Sequence, residues 1–80
     1  MIRVIASNVK KLLANRFKGI VTVKVTSYDA LTVEIDNGRF VYRDVVYNVT
    51  DYMIYEQGSI SIADKIGREY RQYIDWNFYK

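Results

Sequence analysis

The sequence predicts an α+β fold: a helix, three or four antiparallel strands and a second helix, with both helices covering one face of the sheet. Three observations carry this. Apolar residues recur every three or four positions towards both ends, alternate every second position in the middle, and an Asn-Gly pair separates two alternating runs. The chain has 80 residues, which leaves interior for one domain spanning 1–80. Half of it is hydrophobic, enough to favour a packed core over disorder.

The first helix is read from Ile2, Ile5, Val9, Leu12, Leu13 and Phe17, which fall on one stripe at helical spacing. Arg3, Lys10, Lys11 and Lys18 lie off that stripe, and Gly19 reads as the stop signal. Arg16 and Lys18, near the end, complement the negative end of the helix dipole.

The period then becomes two. Val21, Val23 and Val25 alternate with Thr22, Lys24 and Thr26, and after a turn Leu31, Val33 and Ile35 alternate with Thr32, Glu34 and Asp36. A two-residue turn at Asn37-Gly38 would set Asp36 opposite Arg39, Ile35 opposite Phe40 and Val33 opposite Tyr42. One face then carries Leu31, Val33, Ile35, Phe40 and Tyr42. The open face carries Thr32, Glu34, Asp36, Arg39, Val41 and Arg43, so apolar meets apolar and acid meets base. Residues 45–58 read either as a fourth strand or as an irregular crossing. Ser61, with Asp64 three residues on, resembles a helix cap. After it Ile62, Ala63, Ile66, Tyr70, Tyr73, Ile74 and Phe78 share one arc of a last helix.

The chemistry is bounded by what is missing. The chain has no Cys, so it has no disulfide, thiolate or cysteine zinc site, and no His, the commonest metal ligand and proton-transfer group near neutral pH. Glu34, Asp36 and Asp44 could converge around the hairpin, but beside Arg39 and Arg43 they read as a solvated cross-strand charge face. The glycines form no phosphate-binding loop. The expectation is a non-enzyme with no metal or cofactor. No apolar run approaches the roughly 18 residues of a membrane span, and the spaced apolar residues of the opening stretch do not read as a targeting segment. A soluble, cytoplasmic protein without a membrane partner is expected.

Binding remains, by one of two routes. The ending "EYRQYIDWNFYK" holds five aromatic rings. Tyr70, Tyr73 and Phe78 lie on the apolar arc and read as core, whereas Trp76 and Tyr79 project off it beside basic residues. Exposed Trp, Tyr and Arg are the residue types enriched at interface hot spots. Trp76, Tyr79, Arg39, Val41 and Arg43 are therefore the expected protein-contact residues. An exposed strand edge would offer pairing to a partner or to a second copy as a homodimer. The alternative is nucleic acid. The net charge is +3, and residues 1–18 hold five basic side chains and no acid. Arg3, Lys10, Lys11 and Lys18, with the open sheet face, would make the phosphate contacts.

The order of a short amphipathic helix, an antiparallel hairpin and an aromatic, basic ending resembles small proteins encoded by phages and mobile elements of Gram-positive bacteria. In layout it is similar to small type II-A anti-CRISPR inhibitors with an αβββα arrangement. That resemblance implies a non-catalytic accessory factor that engages and inhibits or regulates a protein of a bacterial host, such as a defence nuclease. It rests on size and order of elements and brings no site residue with it. The best-known such inhibitor is strongly acidic and imitates DNA, whereas this chain is basic, so mimicry by bulk negative charge is not its route.

Overall fold

A computed structural model describes residues 1–52 and 54–78. The elements run α1 (Ile2–Arg16), β1 (Ile20–Ser27), β2 (Ala30–Asp36), β3 (Val41–Val46), a short 3-10 turn (Val49–Asp51) and α2 (Tyr55–Phe78). The strands form one antiparallel sheet in the order β1-β2-β3. Among the described residues, no helix is long and apolar enough to cross a membrane.

The two periodicities decide what is buried. Ile5, Val9 and Leu13 of α1, and Ile62, Ala63, Ile66 and Tyr70 of α2, belong to one cluster with Val21, Leu31, Val33, Ile35, Tyr42 and Val46 of the sheet. β2, the central strand, contributes most, because it alone is paired along both edges. Each fully buried Leu or Ile contributes about 1.5–3 kcal/mol relative to leaving it in water.

The β2–β3 hairpin departs from the sequence reading. Ile35 pairs with Tyr42, Glu34 with Arg43 and Leu31 with Val46, a register two residues from the expected one. The turn centres on Gly38 and Arg39, closed by an Asn37 N–H bond to the Phe40 carbonyl at 3.1 Å. Only Gly38 of these has positive φ, +89°, whereas a type I′ turn at Asn37-Gly38 would need it at both. The side chains account for the preference. Asp36 Oδ1 accepts from the Gly38 N–H at 2.9 Å, and Asn37 Oδ1 from the N–H groups of Arg39 and Phe40 at 2.9 and 2.7 Å. The shift also sets Leu31 against Val46, where the expected register would have set it against Asp44. Because two is the period of a strand, no side chain changed face. Arg39 and Phe40, however, leave the sheet for the turn.

Residues 47–52 take the irregular crossing of the two readings offered, and the helix bounds are corrected. No fourth strand forms among the described residues: after β3 the chain turns through Asn48, in the left-handed region at φ 59°, which asparagine tolerates. Val49 N–H then bonds the Asp29 carbonyl, and Asp29 Oδ1 accepts from Thr50 N–H and Oγ1, tying this crossing to the β1–β2 turn. Helix α2 starts at Tyr55 rather than at Ser61. Ser59 lies inside it and satisfies its buried hydroxyl on the Tyr55 carbonyl at 2.6 Å. Helix α1 ends at Arg16, before Gly19. Arg16 is more than a dipole partner, since its Nη1 lies 2.7 Å from Asp64 Oδ1 of α2.

Candidate functional site

Helix length creates the site. At about 1.5 Å per residue, the 24 residues of α2 span about 36 Å, close to the 39 Å long dimension of the molecule. Strands of six to eight residues reach only about 20–27 Å. The helix therefore outruns the sheet. Its buried positions stop at Tyr70; Tyr73 and Ile74 are half-buried, and Trp76 is 74% exposed. Phe78, placed on the core arc by periodicity, is 60% exposed for the same reason.

The hairpin turn is what meets this overhang. The Arg39 guanidinium lies 5.0 Å from the Phe78 ring centroid and 5.5 Å from that of Phe40. Phe40 meets Tyr73 edge-on at 6.3 Å, and the Tyr73 hydroxyl donates to the Val41 carbonyl at 3.2 Å. Arg39 and the end of α2 are thus brought together with the Val41 backbone, while the Val41 side chain, 54% exposed, lies on the open sheet face. At roughly 100° per residue, Trp76 follows Glu69 and Tyr73 on the flank of α2 that faces β3, and Phe78 falls on the other flank. Arg43 is not part of this group. It lies with the Val41 side chain on the sheet face away from the core, 3.9 Å from Glu34, in a shallow groove of about 80 Å³ shared with Thr22, Lys24, Thr26 and Thr32. Tyr79 lies outside the described residues.

The three acids considered together in the sequence separate. Glu34 belongs to the groove and Asp36 caps Gly38, while Asp44 points the other way and meets Tyr42 and Glu69. Among the described residues, no group of three acids could hold a metal ion. The Tyr42 hydroxyl lies 3.0 Å from Glu69 Oε2 and 3.3 Å from Asp44 Oδ2. Asp44 Oδ1 already accepts from Val45 N–H at 2.8 Å. One phenol proton cannot serve both carboxylates, so a second proton is favoured there. A hydrogen bond shared with Asp44, and then burial, raise the Glu69 pKa above its usual 4.5, while Tyr42 and Lys65 pull the other way. Burial first, then the two acids, push the Tyr42 hydroxyl up as well.

A pH dependence follows. The folded state holds the Glu69 proton more tightly than the unfolded chain, so this stabilisation is present at acid pH and is lost as pH rises through the raised folded pKa. Glu69→Gln supplies a permanent N–H donor to Asp44. It is expected to raise the melting temperature by a few degrees at about pH 8 and to change it little at about pH 5. Equal effects at both pH values in thermal melts would show that no shared proton is involved.

The basic residues expected to contact nucleic acid do not form one patch. Arg3, Lys10, Lys11 and Lys18 are all exposed. Arg3 and Lys10, seven apart, share a flank of α1, and Lys11 lies instead beside Leu12 and Glu56 in an open groove between the helices. The fold brings together different cations, Arg16, Arg68 and Arg71, around Phe17. Sequence reasoning missed them because their proximity depends on how α1 and α2 cross. The only local signal was Arg68 and Arg71 at i, i+3.

No protein-family model matches the sequence, and no curated protein or solved structure shows significant similarity to it.

Proposed function

We propose that this chain is a non-catalytic protein-binding accessory factor whose contact surface is the overhanging end of α2 with the β2–β3 turn. The observation that carries this reading is Trp76, 74% exposed at the end of a helix that outruns its own core. A large aromatic left in water, on the same helix end where an arginine stacks on Phe78, is the composition of an interface hot spot. Arg39, Val41 and Trp76 are its anchors, and Tyr79 is assigned to the same surface by sequence. Val41 and Arg43 share the open sheet face, so a partner that wraps the edge of β3 meets both. In line with the layout resemblance, the partner class is a host protein, inhibited or regulated by occupation of its surface, and the chain is phage- or mobile-element-encoded and works in the bacterial cytoplasm.

Trp76 supplies its own probe, being the sole tryptophan. Unbound, its emission is expected to be that of a solvated indole and readily quenched by iodide. With a captured partner the emission should shift to the blue and quenching should fall. Trp76→Ala should lose the partner while melting at the wild-type temperature, since the side chain packs on little. Retention of the same partner by Trp76→Ala would remove this surface from consideration.

A further inference from the structure

The seam between α1 and α2 ends in a charge arrangement that packing does not explain. Arg16 from the last turn of α1 and Arg68 and Arg71 from α2 line one open cleft of about 130 Å³ with Phe17, Asp64 and Gly67. Three guanidiniums face a single carboxylate there. Asp64 is engaged by Arg16 at 2.7 Å, which fixes that side chain at the mouth. The Arg71 guanidinium lies 5.4 Å from the Phe17 ring centroid, which fixes a second. Arg68 has no ion pair with a carboxylate among the described residues. A Cβ at Gly67 would make ordinary contact with the Phe17 ring, at 3.4 Å, so the glycine leaves that part of the ring bare towards the cleft.

A second depression shares a wall with the first. Phe17 and Arg71 also border a pocket of about 310 Å³ completed by Asn37, Tyr70, Ile74 and Asp75. Phe17 and Tyr70 meet edge-on at 4.8 Å, and the Asn37 amide donates to the Tyr70 hydroxyl at 3.2 Å, so this wall is ordered before any ligand arrives. The two spaces differ in kind. The smaller is below the roughly 300–1,000 Å³ of small-molecule pockets and suits one tetrahedral anion; the larger, at the bottom of that range, suits one planar ring. An aromatic and apolar wall, a guanidinium face, a carboxylate and an amide are what a splayed-out base needs for stacking and edge hydrogen bonds.

We propose that the paired cleft and pocket bind one nucleotide unit of a single-stranded nucleic acid: the phosphate between Arg16, Arg68 and Arg71, and the base in the pocket beyond Phe17 and Arg71. The forked guanidinium matches phosphate geometry in two-point contacts, and the net charge of +3 supports attraction of a polyanion. A duplex is excluded from the pocket because its bases are stacked. A polyglutamate chain could enter the cleft but has no planar ring for the pocket. This site does not depend on the α2-end surface assigned above.

The test is fluorescence anisotropy of the full chain with a short labelled single strand at about 50 mM salt. Wild type should bind it, and bind a duplex or polyglutamate of equal charge several-fold more weakly. Arg68→Gln should weaken binding by about fivefold or more and reduce the slope of log affinity against log salt by about 0.7, the value for one lost phosphate contact on a single strand. Lys10→Gln with Lys11→Gln should change affinity less than Arg68→Gln. A strand lacking its bases should bind several-fold more weakly than one that has them. The proposal is overturned by no wild-type binding, by Arg68→Gln binding as wild type, by a larger loss in the lysine pair, or by equal binding of the abasic strand.

Discussion

Gly19→Ala is expected to lower folding stability by about 2–4 kcal/mol, a large part of the roughly 4–12 kcal/mol typical of a domain this size. Two effects add. Gly19 has φ +125°, a region costing an L-residue about 1–3 kcal/mol. A Cβ there would also lie 2.3 Å from the Asp36 carbonyl oxygen and 3.1 Å from the Asn37 Cα. Those are backbone atoms at the end of β2, so relief means moving the strand that carries Leu31, Val33 and Ile35. Gly38→Ala is the control: its φ of +89° is also left-handed, but nothing lies within 4 Å of the added carbon. It should cost about 1 kcal/mol. Urea melts of the two variants would separate strain from contact, and equal losses would mean that the close approach to Asp36 is not felt.

That glycine also shows where the sequence was legible and where it was not. Periodicity identified Ile5, Val9 and Leu13 of α1, though not the buried Ala6, and the inward positions of β2, because a 3.6-residue and a two-residue repeat each fix one face. Gly19 was visible as a break in that pattern, but its reason was not. It sits beyond the helix end and is required by a strand 17 residues away in the chain. The register of the hairpin was equally out of reach, because two side chains, Asp36 and Asn37, moved the turn by taking up its N–H groups. Face survived the error and register did not, as the two-residue period requires.

The candidate surfaces divide the same way. Trp76 could be read as off the stripe from its angle alone. That Phe78 is exposed although it is on the stripe could not, since it follows from the length of α2 against that of the sheet. The arginine cleft was illegible for a further reason. Arg16 stands 48 residues from Asp64 and more than that from Arg68 and Arg71, so only the crossing of the two helices makes them neighbours. The start of α2 was misplaced because Ser61 and Asp64 have the spacing of a cap, whereas the helix begins at Tyr55 and Gly58 within it is a contact.

Gly58→Ala tests that contact through its sign. Within a helix, replacing Gly by Ala ordinarily stabilises by up to about 1 kcal/mol, because the chain loses less freedom on folding. Here the added carbon would lie 2.7 Å from both Cβ and Cγ of Tyr52. These are the root of that side chain, not its mobile end, and Tyr52 packs on the core with its N–H bonded to the Val49 carbonyl. Overpacking of this kind costs about 1–3 kcal/mol and outweighs the helix preference. A net loss of about 1–2 kcal/mol is therefore expected. In a Tyr52→Ala background the obstruction is gone, and the same substitution should become neutral or stabilising. The double-mutant cycle in urea reads this directly as a coupling between the two positions. Stabilisation by Gly58→Ala in the wild-type background would instead show that Tyr52 does not hold the first turn of α2. The approach of the chain to that helix would then have to be fixed by Val49 and the Asp29 contacts alone.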